Sequence, residues 1–166
     1  MKYCQTTTEN HPVSSKHFSC IENINLLLTN EGHIGTAVLF INDEVVLNLD
    51  CVEAIIALND DDRERNKSMD FSFGIANDDK SIQLMVLAEL KLNSLNPNHI
   101  RMDHLKEKVA GSILALTNSI HIYANYIFIF RTDRKEEARS RFFRMNPRIP
   151  NEYLVMDLAE LHYTFF

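Results

Sequence analysis

The 26 residues from Ser68 to Asn93, SMDFSFGIANDDKSIQLMVLAELKLN, constrain the fold of this chain more than any other stretch. They read as two β-strands, 69–76 and 82–92, joined by the polar turn Asn77-Asp78-Asp79-Lys80. Alternate residues of a strand point to opposite faces of its sheet. A turn centred on Asp79-Lys80 sets Phe71 opposite Ala88, Phe73 opposite Val86 and Ile75 opposite Leu84, which makes one face continuously apolar. The same register sets Asp70 opposite Glu89, with Lys91 two residues further along that face. A slip of one residue would scramble both faces, so the pattern fixes the pairing. Two facing carboxylates repel unless something positive lies between them. A divalent cation is the usual reason to tolerate such a pair, and hard oxygen ligands on adjacent strands suit Mg²⁺.

Asp70, then eighteen residues, then Glu89-Leu90-Lys91 at the end of an apolar strand resembles the PD-(D/E)XK nuclease superfamily. Met69 stands where that family usually has a proline. Of three (D/E)-x-K triplets (78–80, 89–91 and 133–135), only the second lies in an apolar strand with a carboxylate expected across from it. The resemblance implies a restriction-endonuclease-like core ordered helix–strand–strand–strand–helix–strand. It also implies that Asp70 and Glu89 hold Mg²⁺ or Mn²⁺, and that Lys91 orients the attacking water. An acidic residue on a neighbouring helix often completes the family's metal site, and Glu53 is a candidate for that role. Lys106 and Lys108 are candidates for the Gln or Lys that some members carry on the following helix. A surface hairpin bearing an ordinary cross-strand charge cluster would show the same residues.

At 166 residues the chain is long enough for one domain with a sizeable core, and 45% apolar with 24% charged residues is ordinary for a globular protein. Three widely spaced cysteines, Cys4, Cys20 and Cys51, suggest neither a disulfide framework nor a zinc site, so a reducing cytoplasm is the expected setting. The N-terminus lacks the apolar stretch of a signal peptide, and no run reaches the roughly 18 apolar residues of a membrane span. The few glycines form neither a dinucleotide fingerprint nor a phosphate loop.

Residues 1–16 read as a flexible polar arm, and 17–166 as a single nuclease-like domain whose motif core covers about 50–131. Phe18 to Thr29 has helical spacing with Ser19 as N-cap, ending at Asn30-Glu31-Gly32. Residues 36–41 read as a strand, with 45–49 as its hairpin partner. Asp50 and Glu53 fit a capping box opening a helix over 51–58. After the hairpin, an amphipathic helix over about 100–116 leads to a strongly apolar strand over 121–130. That strand–helix–strand order is the one the resemblance requires. His99 and His104 lack the spacing of a metal-binding pair and read as surface residues.

Residues 131–148 hold six of the nine arginines and a formal charge of +4, leaving −10 on the remainder. They suggest a short basic helix followed by a proline-bounded loop. Arg139, Arg141 and Arg144 are candidate phosphate contacts, since the guanidinium fork suits phosphate; a solvated helix with local ion pairs is the alternative. The expected fold class is α/β, a mixed central β-sheet flanked by helices. The expected function is Mg²⁺-dependent hydrolysis of phosphodiester bonds in nucleic acid, DNA first, in a homodimer or a larger defence or repair assembly and without a membrane partner. The competing reading is a catalytically silent nuclease-fold module that binds a protein or nucleic acid.

Overall fold

The computed structural model describes residues 1–32, 39–40, 43–60, 64–117 and 120–166. In chain order its elements are β1 (Lys2–Tyr3), α1 (Gln5–Glu9), α2 (Pro12–Lys16), β2 (Ile21–Asn23), α3 (Ile24–Asn30), β3 (Val45–Asn48), α4 (Leu49–Leu58), β4 (Phe71–Ala76), β5 (Gln83–Lys91), α5 (Met102–Leu116), β6 (Ile122–Phe130), α6 (Lys135–Arg144), β7 (Tyr153–Met156) and α7 (Leu158–Phe165). Among the described residues the strands form one mixed seven-stranded sheet in the order β2-β3-β4-β5-β6-β7, with β1 joined to β4. Pairings from β2 to β5 are antiparallel, and those of β6 with β5 and β7 are parallel. The class is therefore α/β, with helices on both sides of the sheet.

The central hairpin has the expected register: Phe71 pairs with Ala88, Phe73 with Val86 and Ile75 with Leu84. The turn is longer than expected, running from Asn77 to Ser81–Ile82 with Lys80 at φ 57°. The Asn77 side chain bridges it, accepting from Ile82 N and donating to Ser81 Oγ. Face patterning, rather than turn length, sets the register. Phe71, Phe73, Val86 and Ala88 pack with α3 and α7 on one face; Met85 and Leu87 pack with α4, α5 and α6 on the other. The α5 crossover delivers β6 parallel to β5, as a connection of that length allows.

Several expectations need correction. Residues 1–16 are not a loose arm. Lys2 and Tyr3 pair with Ala76 and Ile75, the Tyr3 hydroxyl both accepts from Val45 N and donates to Val45 O, and Thr8 Oγ1 accepts from Gly74 N. Gly74 permits this docking, because a Cβ there would lie 2.5 Å from Thr7 and 2.6 Å from the Thr8 backbone. Thr7 and Thr8 are buried against the sheet, while Thr6 stays exposed.

The helix expected over 18–29 begins only at Ile24, capped by the Asn23 side chain rather than Ser19. Ile21–Asn23 pairs with β3 instead, and Phe18 is exposed. The strand expected at 36–41 falls largely outside the described residues. At α4 the cap is Asn48, whose Oδ1 accepts from Cys51 N, so the Asp50–Glu53 capping box does not form. Cys20 and Cys51 are disulfide-bonded, contrary to the expectation from cysteine number and spacing; the bond ties the turn before β2 to the first turn of α4. No helix among the described residues is long and apolar enough to cross a membrane.

Candidate metal centre

Asp70 enters β4 and Glu89 lies near the end of β5, and both side chains turn to the α5 face of the sheet. Asp70 Oδ2 accepts from the Leu90 backbone N–H at 2.5 Å, which ties it to the strand that carries Glu89. Lys91 Nζ lies 2.5 Å from Glu89 Oε1. The three residues singled out in the sequence therefore converge.

A fourth side chain meets them. Lys108, in the middle of α5, places its ammonium 2.7 Å from Glu89 Oε1, 2.8 Å from Glu89 Oε2 and 3.4 Å from Asp70 Oδ1. Glu89 is sealed from solvent, with 1% of its side chain exposed, whereas Lys91 and Lys108 keep about a quarter of theirs. Water can thus reach the site from the lysine side.

The electrostatics follow from burial and crowding. Burial, and then the neighbouring charge of Glu89, push the Asp70 carboxyl up to about 6; Lys108, the Leu90 N–H and Lys91 oppose this. Burial alone would lower the Lys108 pKa, but the charges of Glu89 and Asp70 outweigh it and hold the ammonium above the usual lysine value. Glu31, just past α3, is raised by burial and by the charges of Asp70 and Asp50, so it belongs to the same electrostatic neighbourhood. Asp50, in the first turn of α4, also acts on Lys108, while accepting from Ser68 Oγ and pairing with Arg65. The sequence offers Asp50 only as a helix cap and Glu31 only as part of a helix end, and it places neither at this site.

Glu53, the weaker metal candidate, is fully buried in α4 and accepts from the Asn66 backbone N–H at 3.2 Å, a contact that anchors the segment leading into β4. Among the described residues no three His, Cys, Asp or Glu side chains are grouped to hold a metal ion. Asp70 and Glu89 alone suit Mg²⁺, which takes one or two carboxylates and keeps several waters. Lys91 and Lys108 already balance the two formal negative charges, so a hard cation would have to displace an ammonium to bind there.

The arginine candidates divide. Arg139 pairs with Glu136 and Glu160 and donates to the Val155 carbonyl, thereby covering part of the outer edge of β7. Arg141 donates to the Ile100 carbonyl and docks α6 against the approach to α5. Arg144 is exposed and donates from Nε to its own helix at Ser140 O. His99 and His104 are both exposed. Two cavities, of about 570 and 760 Å³, lie elsewhere, along the β7 edge and beyond the ends of β5 and β6.

No family model matches the chain, and no curated protein or solved structure gives a significant match.

Proposed function

We propose that this protein is a Mg²⁺-dependent nuclease that hydrolyses phosphodiester bonds, with DNA as the first substrate to test. The observation that carries this reading is the convergence of the Asp70 and Glu89 carboxylates on one cation position, held by the Lys108 ammonium, with Lys91 beside them. Further support comes from the order of elements. The series α3, β3, β4, β5, α5, β6 is compatible with the helix–strand–strand–strand–helix–strand order that the resemblance implies, with α4 between the first two strands, although it starts at Ile24 and not within the expected 50–131.

Asp70 and Glu89 would hold the cation. When bound, Mg²⁺ supplies charge neutralisation at the scissile phosphate and a more acidic bound water. The Leu90 N–H fixes the Asp70 carboxylate in place. Lys91, partly exposed, would orient the attacking water and stabilise negative charge developing on the phosphate. Arg144 is the best placed of the three arginines to meet a phosphate backbone, since Arg139 and Arg141 hold the fold together.

One observation favours a second reading, a catalytically silent module that binds a protein or nucleic acid. Lys108 already supplies positive charge to both carboxylates, so the pair can persist as a structural ion cluster.

Cleavage assays on single- and double-stranded DNA and on RNA separate the two. The nuclease reading expects cutting with Mg²⁺ or Mn²⁺ that EDTA abolishes, and near-complete loss in Asp70→Ala and Glu89→Ala. Lys91→Ala should lose on the order of 10²–10³-fold in rate while still binding Mn²⁺, because its role is on the reacting groups. Folded variants that all cut like wild type would point to a contaminant and remove catalysis as the explanation.

A further inference from the structure

Lys108 is held in place by its helix more firmly than an ordinary surface lysine. Gly111, one turn further along α5, touches the chain entering β4: a Cβ there would lie 2.0 Å from the Lys67 carbonyl oxygen. Ser112 Oγ accepts from Met69 N at 2.7 Å and donates to the Lys108 carbonyl at 2.8 Å. Residues 67–70 and 108–112 are thereby locked together, and the Lys108 stem is aimed at the carboxylate that follows Met69. The other lysine on this helix, Lys106, is simply exposed.

The ammonium is in contact with both Glu89 oxygens and lies near Asp70 Oδ1. A hard divalent ion would need some of those same oxygens at about 2.0–2.1 Å. The two cations cannot share them, and at such separations they repel. A four-carbon stem with a quarter of its surface exposed can carry the ammonium outward.

We infer that Lys108 is a built-in counter-ion of the Asp70–Glu89 pair that competes with the divalent cation and must leave Glu89 before the cation can enter. This rests on reading Asp70 and Glu89 as cation ligands. Without the cation, Lys108 keeps two buried carboxylates together on the sheet; with it, the displaced ammonium faces the opening through which a phosphate would approach. Lys108 is thus a positioning residue that sets the cation concentration at which the site fills.

Mn²⁺ titration followed by calorimetry, with no substrate, tests this in the full chain. Lys108→Met keeps the stem without the charge and should bind Mn²⁺ about tenfold more tightly or better, the low end of what a close charge pair contributes. Lys108→Gln provides a second neutral variant should the first fold poorly. Lys108→Arg keeps the charge and should return the affinity towards that of wild type, which a merely structural role would not require. Glu89→Gln should abolish binding in every background.

A wild type that binds no Mn²⁺ beside a Lys108→Met that does would support the competition in its strongest form. Equal or weaker affinity in the neutral variants, with binding still lost in Glu89→Gln, would overturn the role of Lys108 and leave the cation site standing. Folded wild type and neutral variants that all fail to bind Mn²⁺ would overturn both.

Discussion

Reduction of the Cys20–Cys51 bond is expected to lower the stability of this protein by about 3.7 kcal/mol, the loop-closure value for residues about 30 apart. The bond joins the turn before β2 to the first turn of α4, and Cys20 is buried against the core that also holds Leu49 and Val52. Opening it frees the unfolded chain, and the native contacts that remain must then hold α4 in place. α4 carries Asp50, so the electrostatic surroundings of Lys108 depend in part on where it sits. Urea melts with and without a dithiol reductant measure the effect. Wild type should lose midpoint on reduction, while a Cys20→Ser/Cys51→Ser double variant should melt at one lower midpoint in both conditions. Wild-type midpoints indifferent to reductant would show that the bond contributes nothing to stability.

In chelator at pH 7 to 8, Asp70→Asn should be more stable than wild type, by about 3 kcal/mol if the whole change in the Asp70 carboxyl is recovered. The sign follows from the direction of that change. A carboxyl raised from 3.8 to about 6 in the folded state binds its proton more tightly there than in the unfolded chain. Its stabilising contribution is therefore complete below about pH 3.8 and is lost as the pH rises through 6. Asparagine carries no charge to be desolvated and can still accept from the Leu90 N–H. The advantage of the variant should open across that window and vanish at its acid end. Added Mg²⁺ should narrow the gap from the other side, because it stabilises the wild-type fold by binding it and binds the variant less. A variant less stable than wild type at pH 7.5 in chelator would mean that the contact of Asp70 with Lys108 outweighs the cost of burial.

How much of this was legible in the sequence depended on the range of the interaction. The β4–β5 register could be read because apolar alternation on one face and the Asp70, Glu89, Lys91 line on the other allow one pairing, whatever the turn between them does. The α5 crossover was legible for a similar reason, since Leu105, Val109 and Leu116 repeat at helical spacing. Lys108 lies on that same stripe, three residues after Leu105 and four before the buried Ser112. A lysine in a buried stripe needs an anionic partner, so the stripe itself carries a signal for Lys108.

Over residues 18–29 the sequence points to one helix because Phe18, Ile21 and Ile24 satisfy a helical period by spacing alone. What decides the outcome is the pairing of Ile21–Asn23 with β3, more than twenty residues away, together with the Asn23 cap. The disulfide has the same character: Cys20 and Cys51 meet only once β2 has paired with β3 and α4 has started at Leu49. Glu31 and Asp50 act on the charges of the site from two separate helix ends, an arrangement that no local pattern encodes.

Whether Asp70 and Glu89 together hold a divalent cation can be read in crystals soaked in Mn²⁺, through anomalous scattering. A peak is expected between the two carboxylates, with oxygens of both as ligands and the Lys108 ammonium moved off Glu89. Well-diffracting crystals at saturating Mn²⁺ with no anomalous peak there, and Lys108 still bridging Glu89 and Asp70, would contradict cation binding by the pair.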